Sequence, residues 1–135
     1  MALPLRRFLA GLAALAVELL MPGLAAAHAV VVASEPVAGA ALAAAPASVT
    51  IRFNSRLDHG RSRLLLIGPD GVQHPLPIAP DSEPEVLAAP VKGAGPGFGS
   101  GPGQWRLRWQ VLAVDGHITR GDIPFSIQPF SIQAR

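Results

Sequence analysis

The sequence predicts an all-β domain, an antiparallel β-sandwich of about seven strands with an immunoglobulin-like outline. Beyond residue 27, apolar residues alternate with polar ones or form short runs, and proline and glycine interrupt them. No stretch in this part keeps the 3.6-residue period of an amphipathic helix. Short strands separated by frequent turns are typical of such a sandwich. The predicted strands are residues 28–34, 48–53, 63–67, 72–77, 85–91, 104–112 and 123–127.

Residues 104–112, QWRLRWQVL, show the clearest strand pattern because large apolar and polar side chains alternate along them. Successive side chains of a strand point to opposite faces of the sheet. We expect one face to pack in the core and the other to be solvated, and the alternation favours this over an aromatic platform for a ligand. The core face comprises Trp105, Leu107, Trp109 and Val111, and the solvated face comprises Arg106, Arg108 and Gln110.

Turn-forming residues separate the strands. The sequence Pro-Asp-Gly at 69–71 predicts a hairpin. Every second residue from 93 to 103 is glycine, and this stretch lacks the Gly-Lys-Ser/Thr ending of a phosphate loop, so we expect a surface loop. The motif PFSIQ occurs twice within residues 124–133. A five-residue shift reverses the face of every side chain, so we expect the first copy to form the last strand and the second a tail.

The first 27 residues have the layout of a secretory signal peptide. Arg6 and Arg7 precede an apolar run at 8–20, and three alanines end the segment at 25–27. Two small residues with one between them favour cleavage after Ala27, and cleavage after Ala26 is the alternative. We therefore expect an exported chain with one domain at 28–128 and a short tail at 129–135.

Composition limits the function. Cleavage after Ala27 leaves 135 − 27 = 108 residues, with 11 − 2 = 9 Lys plus Arg and 9 − 1 = 8 Asp plus Glu. A net charge of +1 with no polybasic run argues against a nucleic-acid partner. Cysteine is absent, which excludes disulfides and a blue-copper centre. Both methionines, Met1 and Met21, lie in the leader, so the exported chain lacks the soft sulfur ligands that Cu(I) prefers.

Four histidines remain after cleavage, and two of them suggest ordinary structural positions. We expect His74 to be a partly exposed strand or loop residue. His59 lies among arginines that would repel a cation, and we expect a solvated loop there, with a secondary ligand as the alternative.

The other two histidines suggest a metal site. In VDGHITRGD, residues 114–122, Asp115 and His117 are two positions apart and project to the same side of extended backbone, and Gly116 permits a turn between them. Cleavage would make His28 the first residue, which adds a free α-amine to its imidazole. Three nitrogens and one oxygen suit Cu(II) best, with zinc and nickel as alternatives.

Two blocks of the sequence resemble the CopC family of periplasmic copper-binding and copper-resistance proteins. They are HAVVVASEPVAGAALAAAPASVTIRFNSRL, residues 28–57, and WRLRWQVLAVDGHITRGDIPFSI, residues 105–127. The first matches the family pattern at Ser34, Pro36, Gly39, Leu42, Pro46, Val49, Ile51 and Phe53. The second matches it at Trp109, Val111, Ala113, Asp115, Gly116, His117, Gly121 and Phe125.

This resemblance implies a cupredoxin-like Greek-key sandwich that binds one Cu(II) per chain through His28, Asp115 and His117. It implies a periplasmic monomer that acts in copper resistance, sequestration or transfer to a CopD-like inner-membrane protein, and that is not an enzyme. The chain departs from relatives that carry a Met-rich Cu(I) site. Two alternatives remain: a copper oxidoreductase with a histidine brace, and a metal-free immunoglobulin-like interaction module.

Overall fold

The chain folds into eight β-strands in the computed structural model, which describes residues 28–91 and 101–129. The described residues also include one short 3-10 helix, His59–Arg61, between the third and fourth strands. The strands are β1 (Val31–Glu35), β2 (Ala40–Leu42), β3 (Ser48–Phe53), β4 (Arg63–Ile67), β5 (Gln73–Leu76), β6 (Val86–Pro90), β7 (Gly103–Leu112) and β8 (Ile118–Ile127).

The strands form two sheets, which confirms the predicted all-β sandwich class. One sheet has three strands in the order β1-β3-β6, and the other has five in the order β2-β8-β7-β4-β5. Strands β7 and β8 pair antiparallel along their whole length, from Gly103 opposite Ile127 to Leu112 opposite Ile118. This long hairpin is the centre of the larger sheet, and its turn carries two of the residues predicted to bind metal.

The first predicted strand, 28–34, begins only at Val31 in the structure. Two larger differences concern β2 and β8. Strand β2 was not predicted, because its three residues lie in an alanine-rich segment without the β-branched residues that favour strands. It forms by parallel pairing with β8, a tertiary contact that no local pattern shows. Strand β8 begins at Ile118, not at 123, because Gly121 and Asp122 pair with β7 despite their low strand propensity.

The core lies between the two sheets, as the alternation along β7 predicts. Trp105, Leu107, Trp109 and Val111 are all buried, with exposed fractions of at most 7%. Phe53 of the smaller sheet meets Trp109 of the larger one edge to face, with ring centroids 5.0 Å apart. Such aromatic pairs contribute about 1 kcal/mol beyond the area that they bury. The arginines of β7 lie on the outer face of the five-stranded sheet, as expected.

The predicted turns have mixed outcomes. The hairpin at 69–71 is confirmed, because it joins β4 to β5 and the Asp70 side chain accepts a hydrogen bond from the backbone of Val72 at 3.0 Å. The first PFSIQ copy ends strand β8 as expected. The second copy, apart from Pro129, lies outside the described residues, as do the leader and residues 92–100 of the glycine-rich stretch. Among residues 28–91 and 101–129, no helix is long and apolar enough to cross a membrane.

The close approach of Trp109 to Gly121 generates a stability prediction. These residues face each other across the β7–β8 pair, and a Cβ atom at residue 121 would lie 2.7 Å from Cε2 of the indole. Overpacking of this kind costs about 1–3 kcal/mol. We therefore expect Gly121→Ala to lower the free energy of unfolding by that amount in urea denaturation.

Gly101→Ala is the matched control for that substitution, because a Cβ there meets no atom of the described residues within 4 Å. We expect this variant to unfold at nearly the same urea concentration as the wild type. An equal loss of stability in both variants, or none in Gly121→Ala, would contradict the packing argument.

Candidate metal centre

The first described residues are held against the smaller sheet. Ala29 is buried, with only 3% of its surface exposed, whereas His28 before it is exposed. The Val30 backbone N–H donates to the side-chain oxygen of Asn54 at 2.8 Å, and the Asn54 backbone N–H donates to the Val30 carbonyl at 3.0 Å. A buried anchor and two hydrogen bonds thus fix the backbone directly behind His28.

The turn between β7 and β8 presents Asp115 and His117. Gly116 has a φ of +94°, which strongly favours glycine. The Gly116 N–H donates to the Ala113 carbonyl and the Ala113 N–H donates to the His117 carbonyl, both at 2.9 Å. These bonds close a tight turn that exposes both candidate ligands to solvent.

Residues 54–58, which we call the bridging segment, connect the N-terminal strand to this turn. Asn54 holds Val30, as described above. Further along the segment, the Arg56 carbonyl accepts from Val114 N–H at 3.1 Å, and the Asp58 N–H donates to the Leu112 carbonyl at 2.8 Å. Leu57 and Ala113 form an isolated antiparallel bridge between these two bonds. Two parts of the chain that are far apart in sequence are therefore held by one five-residue segment.

This arrangement brings the rings of His28 and His117 together. Their centroids are 6.3 Å apart and the rings are nearly perpendicular, at 78°. Metal–imidazole bonds are about 2.0 Å long and a ring nitrogen lies about 1.2 Å from its centroid, so rings on opposite sides of one ion have centroids about 6.4 Å apart. The observed separation allows both imidazoles to bind one ion.

Asp115 lies on the same side of the turn as His117. Its Oδ1 is 3.2 Å from Nδ1 of His117 and also accepts the His117 backbone N–H at 3.1 Å. Ligands at neighbouring corners of a square plane, each about 2.0 Å from the metal, are about 2.8 Å apart. The carboxylate oxygen and the imidazole nitrogen are therefore spaced almost as two adjacent ligands would be.

Local hydrogen bonding keeps the Asp115 carboxylate ionised. The largest cause is the hydrogen bond from the His117 backbone N–H, which holds the pKa of Asp115 below its ordinary value of 3.8, with smaller contributions from the His117 side chain. A carboxylate that stays negative is a ready ligand for a hard or intermediate cation.

The side chains do not form a closed cluster. Among the described residues, no group of three or more His, Cys, Asp or Glu side chains is assembled in metal-binding geometry. His28, Asp115 and His117 supply two imidazoles and one carboxylate, and the fourth donor proposed from the sequence is the His28 α-amine. That amine exists only when the bond between Ala27 and His28 is cut.

The other two histidines have different surroundings. We expected His59 in a solvated loop, but it is half-buried in the short 3-10 helix. Its Nε2 donates to the Val86 carbonyl at 2.7 Å, which gives this ring a structural role. His74 is half-buried on β5, in agreement with its interpretation as a partly exposed strand residue.

Comparison with known sequences now identifies the family. A sequence profile of the CopC domain matches residues 31–128, which is most of the chain. The chain belongs to the CopC family. Similar curated relatives are protein YobA of Escherichia coli strain K12 and protein YobA of Shigella flexneri. Each is 30% identical over 119 residues, which cover 87% of this chain and 91% of the relative.

Solved structures of the CopC family share the fold. The crystal structure of CopC from Methylosinus trichosporium OB3b matches with a TM-score of 0.64 and 24% identity, covering 79% of this chain and 100% of that one. PcoC from Escherichia coli, described as a methionine-rich copper resistance protein, matches with a TM-score of 0.58 and 24% identity. The PcoC match covers 76% of this chain and 100% of PcoC.

Sequence reasoning missed the bridging segment. Asn54 directly follows a predicted strand, and asparagine at such a position is an ordinary turn residue. The segment RFNSRL carries no local signal that its asparagine side chain reaches back 24 residues to the N-terminal strand. Only the pairing of β1 with β3, which sets Val31 opposite Phe53, places Asn54 beside Val30.

The two hydrogen bonds between Val30 and Asn54, which we call the clamp, can be tested with Asn54→Ala. The substitution removes the acceptor for the Val30 N–H and loosens the backbone behind His28, which keeps only the bond to the Val30 carbonyl. We therefore expect faster hydrogen exchange at Val30. Outer residues that orient metal ligands typically change affinity about 10- to 100-fold, and we expect copper affinity to fall by about 10-fold. Calorimetric titration of the protein that begins at His28 measures this change.

Ser55→Ala is the control for the clamp. Ser55 Oγ only donates to the Asn54 side-chain oxygen at 3.3 Å, so its removal leaves both bonds to Val30 in place. Equal affinities for Asn54→Ala and wild type, despite faster exchange at Val30, would show that the clamp does not position the metal site.

The pKa of Asp115 generates a pH prediction. Because its folded value lies below the ordinary 3.8, the ionised carboxylate stabilises the turn fully above the unfolded pKa. This contribution is lost as the pH falls through the folded value. Titration of the metal-free protein by carboxyl-carbon NMR should show Asp115 titrating below 3.8. A midpoint at or above 3.8 would contradict the proposed hydrogen bond.

Proposed function

We propose that this CopC-family protein binds one Cu(II) ion in the periplasm, through the His28 α-amine and imidazole, Asp115 and His117. The observation that carries the proposal is the juxtaposition of His28 and His117, whose ring centroids are 6.3 Å apart although 89 residues separate them (117 − 28). Family membership and the copper-resistance description of PcoC support copper as the metal.

The donor set favours Cu(II). Nitrogen ligands together with a carboxylate oxygen suit the tetragonal geometry of Cu(II), and the Irving–Williams order places copper above nickel and zinc at such a site. An α-amine has a reference pKa of about 7.7–8, so copper can displace its proton near neutral pH. Leader cleavage after Ala27 would create this amine, which forms a six-membered chelate ring with Nδ1 of the same residue.

We propose that the protein carries Cu(II) and is not an enzyme. No methionine or cysteine lies beyond Met21, so the exported chain has no soft sulfur ligand that would favour Cu(I). The nitrogen and oxygen donors of the proposed site therefore favour a bound ion in the Cu(II) state. We propose that the protein is a monomer that sequesters Cu(II) or delivers it to a CopD-like membrane protein in copper resistance.

Copper titration followed by electron paramagnetic resonance tests the function. The exported protein, beginning at His28, should show a tetragonal Cu(II) signal that saturates at one equivalent. One alanine inserted before His28 removes the amine chelate while every side chain stays in place. We expect this insertion and His117→Ala each to weaken binding by at least about 100-fold, which corresponds to roughly 2.7 kcal/mol.

His74→Gln is the matched control, because it removes an imidazole from β5, outside the proposed site. Its signal should match that of the wild type. A signal unchanged by the insertion would overturn the proposed amine ligand. Oxygen consumption by the copper-loaded protein in the presence of a reductant, abolished by His117→Ala, would instead favour the oxidoreductase.

A further inference from the structure

The outer face of the five-stranded sheet concentrates positive charge. The described residues contain seven arginines, namely Arg52, Arg56, Arg61, Arg63, Arg106, Arg108 and Arg120. They also contain eight acidic residues, namely Glu35, Asp58, Asp70, Asp81, Glu83, Glu85, Asp115 and Asp122. Four of these arginines (Arg63, Arg106, Arg108 and Arg120) and one of these acids (Asp122) lie on this face, an excess of 4 − 1 = 3 positive charges. The other described residues carry three arginines and seven acids.

Strand pairing sets these charges in adjacent rows. Gln110 pairs with Arg63 on one side and with Arg120 on the other, which forms the first row. In the next row, Arg108 lies between Leu65 and Asp122. In the third row, Arg106 lies between Ile67 and Pro124. We call Arg63, Arg106, Arg108 and Arg120 the arginine face.

The single carboxylate neutralises only part of this face. Asp122 accepts two hydrogen bonds from Arg108, at 2.9 and 3.1 Å, and lies 3.8 Å from Arg106. Arg120 is held by the Gln110 side-chain oxygen at 2.7 Å, a neutral partner. Among the described residues, Arg63 and Arg120 make no ion pair, and both are exposed. Two oriented cations are therefore available to an anionic partner.

An exposed apolar edge continues the arginine face toward the candidate metal centre. Ile118 lies on the same side of β8 as Arg120, two residues away, and 54% of its surface is exposed. Val114, beside Asp115 in the turn, is 70% exposed. Surfaces that combine basic side chains with exposed aliphatic ones are typical of proteins that bind the interface of an anionic bilayer.

We propose that the arginine face, with Ile118 at its edge, docks this protein on an anionic lipid bilayer. A sheet face with cations in successive rows matches a plane of lipid phosphates better than a single acidic peptide, which would follow one row. Guanidinium groups bind phosphate oxygens in a bidentate manner, which suits Arg63 and Arg120. Because Ile118 follows His117 directly, docking would hold the metal site close to the membrane surface.

Vesicle sedimentation tests the docking. The exported protein, confirmed by mass spectrometry to begin at His28, is mixed without copper with phosphatidylcholine vesicles or with mixed phosphatidylcholine–phosphatidylglycerol vesicles. We expect binding only to the mixed vesicles. Screening lengths fall from about 10 Å at 0.1 M salt to about 3 Å at 1 M, so binding should be lost at high salt. The assay needs no copper, so its result is independent of the proposed metal function.

Matched arginine substitutions locate the surface. Each arginine near an anionic bilayer contributes roughly fivefold to partitioning, so Arg63→Gln should weaken binding about fivefold and Arg63→Gln with Arg120→Gln about 25-fold. Arg52→Gln removes the same charge from the opposite sheet, where Arg52 pairs with Glu83, and should bind as the wild type does. Unchanged melting temperatures verify folding.

Three results would overturn the proposal. The first is equal binding to both kinds of vesicle or to neither. The second is an equal loss of binding in Arg63→Gln and Arg52→Gln. The third is retention on immobilised polyglutamate without any binding to mixed vesicles, which would assign the arginine face to an acidic protein partner.

Discussion

The candidate metal centre depends on a single structural junction, the set of hydrogen bonds made by the backbone of residues 54–58, the bridging segment, and by the Asn54 side chain. One end of this segment clamps Val30, and the other end holds the turn that contains Asp115 and His117. A residue at the N-terminus of a chain is ordinarily free to move, and ordering it costs conformational entropy. His28 would be such a residue after the proposed cleavage. Folding of the β-sandwich already orders the residues next to His28, because Ala29 is buried and both the N–H and the carbonyl of Val30 are hydrogen-bonded.

Pre-organisation is what would let the proposed exposed site bind metal specifically. His28, Asp115 and His117 are all exposed, so they gain nothing from a low-dielectric surrounding. Their contribution comes from placement: two imidazoles at a separation that one ion can span, and a carboxylate kept ionised by the backbone of its own turn. An exposed site of this kind is also accessible to a partner that delivers or removes the ion, which suits a carrier.

The sequence predicted the sandwich well because its strongest signals are local. Alternation along β7 correctly separates core tryptophans from outer arginines, and the Pro-Asp-Gly turn correctly marks a hairpin. The failures are tertiary. Strand β2 exists only through its parallel pairing with β8, and polar residues conceal the first half of β8. The candidate ligand residues followed from their chemistry and from a resemblance. The position of Asn54 beside Val30 and the clustering of arginines on the outer sheet face appear only once the strands are in register.

A crystal structure of the copper-loaded protein that begins at His28 tests the proposed site most directly. We expect one copper ion about 2.0 Å from the His28 α-amine nitrogen and from ring nitrogens of His28 and His117, with a carboxylate oxygen of Asp115 in contact. We also expect the hydrogen bonds between Val30 and Asn54 to stay intact. Copper bound at His59 or His74, or at His117 without the terminal amine, would contradict the proposed site.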